Sequence, residues 1–272
     1  MNSRKPWILL TVLALVWFAE PVSADEPLSG RQIMELVDDR DDGNRAIWDM
    51  EMVLIDKRDN RRIRKIRYHR IDQGEDLEDT HFMMFFDAPA DVKDTGFLTY
   101  DYDDDEKDDD QWLYLPALKK TKRIASNDKS GSFMGSDFSY SDMTSRELDN
   151  YDYRLLKEDV LNGHEVWIVE AIPNNEKEIR ETGYTKTIAF VRKDNYVIVR
   201  AKNWLKKAGR NKYLDVKKLE LIDGIWVETE MHMTTKKGKE TLHKTILSSH
   251  NVKFNQDLDP TDFKVRTLEK GL

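Results

Sequence analysis

Apolar and polar residues alternate along most of this sequence after Ile47, and short turns separate the alternating runs. Alternation with a period of two is typical of β-strands that bury one face and expose the other. Asn, Asp and Gly tolerate the positive φ that tight hairpins require. Turns of this kind close five pairs of runs, at Asp59-Asn60, Asn162-Gly163, Asp194-Asn195, Asp223-Gly224 and Lys237-Gly238. The pattern therefore predicts a mainly β protein built from antiparallel hairpins.

The predicted strands cover much of the chain, and many of them are long. Their bounds are residues 46–56, 61–71, 82–86, 97–102, 112–115, 166–172, 187–193, 196–204, 225–235 and 240–250. With the partner strands that the hairpins require, the total is about ten or eleven. Because a sheet of that size twists steadily, it must curl into a barrel, a half-open barrel or two packed sheets.

One helix is predicted before the first strand. Apolar residues recur at helical spacing between Leu28 and Val37, Ser29 is placed as an N-cap, and Gly43 follows the end. No segment rich in Pro, Ser or Gly divides the strands into groups, and no repeat longer than a hairpin occurs. We therefore expect residues 25–272 to form a single β domain.

The N-terminus has the pattern of a secretory signal peptide. Arg4 and Lys5 precede an apolar run over residues 8–19, and Val22 and Ala24 supply the small side chains of a cleavage site. The run has about a dozen residues, short of the roughly 20 that span a bilayer, so a membrane anchor is the weaker interpretation. We expect residues 1–24 to be cleaved and the mature protein to be soluble in the periplasm.

Composition narrows the range of partners. The chain has 44 Lys and Arg against 52 Asp and Glu, a formal net charge of −8, whereas nucleic-acid binding needs a surplus of basic residues. Because the chain has no cysteine, it can form neither a disulfide nor a lipid-modified N-terminal cysteine. We expect a monomer that binds no nucleic acid.

The sequence has no recognisable motif for covalent chemistry. The six histidines form no i, i+4 pair for a metal, and neither a P-loop nor a dinucleotide-binding motif occurs. Residues 131–135 have glycine at both ends, but Phe133 occupies the centre, where a nucleophile elbow needs serine. We expect no enzyme, no cofactor and no metal site. A hydrolase whose catalytic carboxylates are hidden among the many acidic residues is a third interpretation.

Residues 103–110 form an acidic run, Asp-Asp-Asp-Glu-Lys-Asp-Asp-Asp. Clustered carboxylates suit Ca²⁺, but the run lacks the central glycine and terminal glutamate of an EF-hand loop. The favoured interpretation is a solvated loop between two strands, and Ca²⁺ binding is the alternative.

One face of the predicted sheet collects large apolar side chains. Such a face forms either a packed core or the wall of an apolar cavity, and two observations favour a cavity. A curled sheet has a large concave face with only one predicted helix to fill it, and methionine repacks around ligands of varied shape. The candidate cavity residues are Trp48, Met50, Met52, Leu54, Met84, Phe86, Phe97, Trp112 and Tyr114.

Residues 126–144 combine glycine, serine and aspartate with large apolar side chains. We predict that this segment forms a lid over the cavity, and the alternative is a surface loop packed on the edge of the core. The apolar residues of the predicted lid are Phe133, Met134, Phe138, Tyr140 and Met143.

A basic cluster precedes this segment, at Lys119, Lys120, Lys122 and Arg123. These side chains are candidates to contact an anionic headgroup, a membrane surface or an acidic partner. The alternative is a charged edge strand that discourages aggregation.

Two stretches in this region, residues 112–124 (WLYLPALKKTKRI) and 131–143 (GSFMGSDFSYSDM), resemble a branch of the outer membrane lipoprotein-sorting (LolA-like) family. Weaker similarity extends from Leu28 to about Phe263. The resemblance implies an unclosed antiparallel barrel of about eleven strands, covered on its concave side by helices and a lid, with acyl chains held in an apolar cavity. Studied members of this family ferry lipoproteins from the inner to the outer membrane, and related branches accompany inner-membrane transporters of the RND type.

The resemblance and the residue patterns together lead to the hypothesis of a periplasmic lipid or lipoprotein carrier. It would shield acyl chains during transfer towards the outer membrane, with an inner-membrane transporter and an outer-membrane acceptor as partners. The alternative is a periplasmic accessory or sensor protein that binds such a transporter or a regulator, with lipid as a signal rather than cargo.

Overall fold

The computed structural model describes residues 27–74, 77–104, 106–207 and 209–271. The predicted signal peptide, residues 1–24, lies outside these ranges. The described chain is predominantly β, with thirteen strands in one antiparallel sheet. No helix within the described ranges is long and apolar enough to cross a membrane.

The strands are β1 (Ala46–Asp56), β2 (Arg61–Gln73), β3 (Asp79–Ala88), β4 (Gly96–Asp101), β5 (Asp110–Leu115), β6 (Lys120–Arg123), β7 (Tyr151–Leu161), β8 (His164–Pro173), β9 (Tyr184–Arg192), β10 (Ile198–Leu205), β11 (Arg210–Ile222), β12 (Ile225–Lys237) and β13 (Glu240–Lys253). The α-helices in the described chain are α1 (Gly30–Asp38), α2 (Glu176–Thr182) and α3 (Val265–Lys270). Short 3₁₀ turns occupy much of the segment between β6 and β7.

Two meanders make up the sheet, the first of strands β1–β6 and the second of strands β7–β13. The pairing of β1 with β13 joins them. The strand order is β6-β5-β4-β3-β2-β1-β13-β12-β11-β10-β9-β8-β7, and Met52 on β1 lies opposite Leu247 on β13. β6 and β7 are the two edges and do not pair with each other. The predicted mainly β, half-open architecture is therefore confirmed.

The sheet is curled. Met84 on β3 and Ala189 on β9 line the same cavity, although seven inter-strand steps separate these strands in the sheet. In a flat sheet, with about 4.8 Å between neighbouring strands, they would be roughly 34 Å apart. The curl brings the two halves of the sheet to face one another and creates a concave side.

The strand count exceeds the predicted ten or eleven because some strands carry too many charges to alternate clearly. β6 has the sequence Lys-Thr-Lys-Arg and joins the sheet through its pairing with β5. β11 contains six charged residues among thirteen and pairs with β10 and β12. Backbone pairing, rather than an apolar face, makes these segments strands.

All five predicted hairpins are present. Asn162 and Gly163 (φ 53° and 87°) close β7–β8, and Asp223 and Gly224 (φ 52° and 89°) close β11–β12. Such φ values at both central residues are typical of the turns that match the twist of paired strands. In the β9–β10 connection the positive φ falls on Tyr196 (59°), just after the predicted dipeptide.

Helix α1 begins at the predicted N-cap. The Ser29 hydroxyl accepts a hydrogen bond from the Gln32 N–H at 3.2 Å, and Gln32 Oε1 accepts one from the Ser29 N–H at 2.9 Å, which is a capping box. Gly30 lies directly on β7, since a Cβ there would come within 2.7 Å of the backbone nitrogens of Arg154 and Leu155. This close approach sets α1 against β7 and β8.

Candidate functional site

The concave face of β1–β4 holds a buried apolar cluster. Alternate positions on each strand share a face, and this places six of the predicted cavity residues together: Met50, Met52, Leu54, Met84, Phe86 and Phe97. Trp48 packs against the cluster and stacks on Tyr68, with ring centroids 3.9 Å apart. These seven predicted residues therefore lie on the concave side of the sheet.

Trp112 and Tyr114 lie on the opposite, convex face, so their predicted place in the cavity is wrong. In the β4–β5 pair Trp112 is opposite Leu98. Leu98, Trp112 and Tyr114 all belong to a second cluster, which packs beneath α3. The concave positions of β5 are Gln111, Leu113 and Leu115, and both leucines contact the cluster of the concave face. On this strand the largest side chains meet α3, and size alone points to the wrong face.

Residues 126–144 cover the concave cluster. Phe133 is fully buried, and its ring centroid lies 4.9 Å from that of Phe97 and 6.3 Å from that of Phe86. The other apolar residues of the segment contact the same cluster: Met134, Phe138, Tyr140 and Met143. We call residues 126–144 the lid.

Polar contacts fasten the lid to the first meander of the sheet. The Arg64 guanidinium on β2 donates to the carbonyl of Met134. The Gln111 side-chain amide on β5 donates to the carbonyl of Tyr140 at 2.9 Å. Both donors are buried, so these bonds are sheltered from competition with water.

Asp137 fastens the lid to the second meander. Its carboxylate accepts hydrogen bonds from the hydroxyls of Thr235 on β12 at 2.5 Å and Thr245 on β13 at 2.8 Å. Its backbone N–H donates to the Thr245 hydroxyl oxygen at 2.9 Å. The lid therefore reaches from one half of the sheet to the other.

A second lid carboxylate, Asp142, binds β9 and β11. It accepts hydrogen bonds from the Ser139 N–H at 2.8 Å and the Tyr184 hydroxyl at 2.7 Å, and the Lys212 ammonium lies 3.2 Å away. Burial favours the neutral acid, but the charge of Lys212 and these hydrogen bonds outweigh it and hold the pKa of Asp142 below its usual value. Asp142 is therefore an ionised, half-buried anchor at neutral pH.

A cavity of about 550 Å³ lies between the lid, α1 and the sheet. Alanines at inward positions of β8, β9 and β10 form part of its wall: Ala171, Ala189 and Ala201. The hollow exists because these three side chains are small where β1–β3 present methionines and aromatic rings. A search for large apolar residues misses them, and an inward-facing alanine on each of three neighbouring strands is the signal that would find them.

The predicted cavity and lid residues on the concave side fall into two groups. Trp48, Met50 and Met84 of the sheet line the cavity, as do Phe138 and Met143 of the lid. The others pack against one another between sheet and lid and belong to the packed core: Met52, Leu54, Phe86 and Phe97 of the sheet, and Phe133, Met134 and Tyr140 of the lid. The two interpretations of this face, packed core and cavity wall, therefore each apply to a part of it.

A few polar groups also line the cavity. The Trp48 indole nitrogen is buried and has no hydrogen-bond partner among the described residues. Glu228 lies 3.8 Å from Arg40, and burial raises its pKa. Arg146 donates to the Thr187 hydroxyl at 3.1 Å. Apolar walls with a small number of placed polar groups are typical of sites for small amphiphilic ligands.

The predicted basic contact residues lie away from the cavity. They occupy the β5–β6 connection and β6, which is an edge strand of the sheet. Arg123 donates to Asp110 at 2.8 Å, and the Lys122 ammonium lies 3.4 Å from Asp128. None of the four lines the cavity: Lys119, Lys120, Lys122 and Arg123.

The acidic run at 103–110 makes ion pairs along its second half. Lys177 lies 2.5 Å from Asp108, and Lys129 lies 3.6 Å from Asp109. In the part of the chain that the structure describes, which leaves out position 105, no three acidic or histidine side chains are grouped to hold a metal ion.

Asp101, at the end of β4, is a buried carboxyl that accepts a hydrogen bond from the Ser145 N–H at 2.9 Å, just after the lid. Burial, and then the neighbouring Asp109, raise the pKa of Asp101 to about 7. The folded protein therefore binds a proton here that the unfolded chain has lost above its ordinary pKa of 3.8. The stability that Asp101 contributes is therefore lost as the pH rises from 3.8 to about 7.

Asp101→Asn is expected to flatten this part of the stability profile. An amide keeps an acceptor for the Ser145 N–H but cannot ionise, so the fall in unfolding free energy should shrink by about 4 kcal/mol. Urea denaturation at several pH values measures it, with the exposed Asp91→Asn as the control. Equal slopes in Asp101→Asn and the native protein would contradict the assignment.

An open, curled sheet with a lid and an apolar cavity on its concave side defines the LolA-like class of fold. A LolA superfamily protein from Nitrosomonas europaea shares this fold with a TM-score of 0.64 over 88% of this chain and 99% of its own, at 13% identity.

Two further solved structures are similar in sequence as well as in fold. A DUF1329 family protein from Desulfovibrio piger is 30% identical, with a TM-score of 0.79 over 88% of this chain and 97% of its own. A candidate outer membrane lipoprotein-sorting protein domain from Vibrio parahaemolyticus is 32% identical, with a TM-score of 0.78 over 88% of this chain and 98% of its own.

Residues 78–270 match a family model described as "Uncharacterized protein". With the similarity to the Desulfovibrio piger protein, this match shows that the chain belongs to the DUF1329 family. The resemblance to the lipoprotein-sorting family that residues 112–143 indicated is thereby confirmed. Nothing among the curated proteins matches the chain.

Proposed function

We propose that this protein is a periplasmic carrier that shields the acyl chains of a lipid or lipoprotein during transfer towards the outer membrane. The observation on which the proposal rests is the cavity of about 550 Å³ beneath the lid. The similarity to a candidate lipoprotein-sorting domain supports it. The signal-peptide pattern of residues 1–24 supports export.

The size and lining of the cavity suit an acyl chain. Its volume lies within the range of roughly 300–1,000 Å³ that is typical of ligand sites. Burial of a chain of about sixteen carbons yields on the order of 12 kcal/mol before ordering costs. That free energy is enough for micromolar binding or better. The ordering costs lower the net affinity, so that the chain can still be released.

Such a carrier performs no covalent chemistry. Phe138 and Met143 belong to the lid and also line the cavity, so a bound chain would contact the lid itself. Loading and release would then require the lid to move, and the hydrogen bonds of Asp137 and Asp142 would set how readily it does. The donor would be an inner-membrane transporter and the acceptor an outer-membrane component.

Native mass spectrometry tests the proposal directly. The protein is expressed with its own N-terminal segment and purified from the periplasm without detergent. We expect an adduct whose mass and extracted lipid identify an acyl-containing species. An unliganded mass that also takes up no added phospholipid would contradict the proposal, and a stoichiometric protein partner in that case would favour the accessory or sensor role.

A further inference from the structure

We propose that a basic cleft beside the lid binds the phosphate of an anionic lipid headgroup. The cleft, with a volume of about 850 Å³, is separate from the apolar cavity and contains none of the basic residues around position 120. Five Lys and Arg side chains line it, against the single carboxylate of Asp137: Arg180, Lys206, Lys207, Arg210 and Lys212. We call it the basic cleft.

Four of these cations come from one stretch of the chain, residues 206–212, and the fold adds Arg180 to them. Arg180 lies on α2, Lys206 and Lys207 follow β10, and Arg210 begins β11. The cleft thus holds a local excess of positive charge in a chain whose formal net charge is −8. This excess makes the cleft a place where an anion would be attracted.

Most of this charge is available to a ligand. Among the described residues, Arg180, Lys207 and Arg210 have no carboxylate within the 4.0 Å that defines an ion pair, and Lys206 only just reaches Glu176 at 4.0 Å. The one lining carboxylate, Asp137, already accepts hydrogen bonds from two threonine hydroxyls. Of the five cations, Lys212 alone has a close carboxylate partner in the described chain, Asp142 at 3.2 Å, so the other four supply the charge that a ligand would meet.

The position of the cleft favours a lipid headgroup over a free phosphate ion. Phe138 of the lid lines both the basic cleft and the apolar cavity, so lid residues form the partition between them. Apolar side chains also line the cleft: Ile179, Leu205 and Leu242. An amphiphile could place its phosphate on the cations and direct its chain past Phe138 into the cavity. This last step rests on the proposed carrier function, whereas headgroup binding does not.

Charge reversal tests the proposal. The variant carries Arg180→Glu, Lys207→Glu and Arg210→Glu, and the matched control carries Lys119→Glu, Lys120→Glu and Lys122→Glu. Co-flotation is measured with equimolar phosphatidylglycerol and phosphatidylcholine vesicles and with phosphatidylcholine alone. We expect the native protein and the control to bind the anionic vesicles and the cleft variant to lose at least about tenfold in affinity. Circular dichroism and the Tm confirm that both variants fold.

Each other outcome overturns the proposal. Undiminished binding by the cleft variant rejects it, and loss confined to the control moves the contact to β6. Absence of flotation by the native protein also rejects it. If calorimetry shows that inorganic phosphate binds but phosphatidylglycerol vesicles do not compete, the ligand is the free ion and not a lipid.

Uptake of an uncharged monoacylglycerol separates this proposal from the carrier function. The cleft variant should keep that uptake, because the apolar cavity is unchanged. If the native protein takes up no monoacylglycerol yet floats with anionic vesicles, the carrier proposal fails and headgroup binding stands.

Discussion

Ala201→Trp is expected to lower the affinity for an acyl chain by about a hundredfold. Ala201 lies on the cavity wall opposite Ala189 of the neighbouring strand, and an indole there would occupy space that the chain needs. Exclusion of about four methylene groups at about 0.8 kcal/mol each weakens binding by about 3 kcal/mol, which corresponds to that factor. Titration with a fluorescent fatty acid measures the change.

Lys202→Trp is the matched control, because it adds the same side chain to the opposite face of β10. Its affinity should stay within about twofold of the native value. The unfolding free energy of Ala201→Trp should change little, since the indole enters existing space rather than a packed core. Native affinity in a folded Ala201→Trp protein would show that the acyl chain binds elsewhere.

Asp142→Ala is expected to lower the unfolding free energy by about 3–5 kcal/mol. The substitution removes the carboxylate that binds the Tyr184 hydroxyl and the Lys212 ammonium, and it leaves a buried positive charge without its counter-ion. The lid also loses its link to β9 and β11. Urea denaturation gives the free energy, and hydrogen exchange of residues 136–143 should show faster opening of the lid.

A second variant separates the ion pair from general damage to the lid. Asp142→Ala combined with Lys212→Met removes both charges and should recover about 2 kcal/mol of the loss. Asp128→Ala breaks the exposed pair with Lys122 in the same segment and should cost at most about 1 kcal/mol. If Asp142→Ala is no more destabilising than Asp128→Ala, then Asp142 does not anchor the lid.

Local features of the sequence predict the strands, the hairpins and the first helix well. Turn dipeptides such as Asn162-Gly163 and the N-cap at Ser29 act over a few residues, so their effect can be deduced without the rest of the chain. Strands without a clear apolar face, such as β6, become strands only because a neighbour supplies hydrogen bonds. For that reason the predicted number of strands was too low.

The face on which a side chain lies is harder to predict on short strands. The size of Trp112 and Tyr114 predicts the concave side, whereas pairing with β4 places them against α3. On β1, eleven residues long, the alternation of Trp48, Met50 and Met52 leaves little ambiguity. Strand β5 has only six residues and carries large side chains on both of its faces, so its alternation does not show which face is concave.

The sequence by itself determined the class of fold, the position of the lid segment and the resemblance to lipoprotein-sorting proteins, because each depends on patterns within a short stretch. The tertiary structure decided where the hollow lies, since the alanines that leave space on β8–β10 have meaning only once the curl of the sheet places them opposite Trp48 and Met84. It also decided the anchoring of Asp142 to Lys212, seventy residues away, and the placement of Arg180 with the basic stretch 206–212 in a cleft beside the lid. Electrostatic and packing contacts between distant residues depend on the path of the chain in space, which local patterns do not contain.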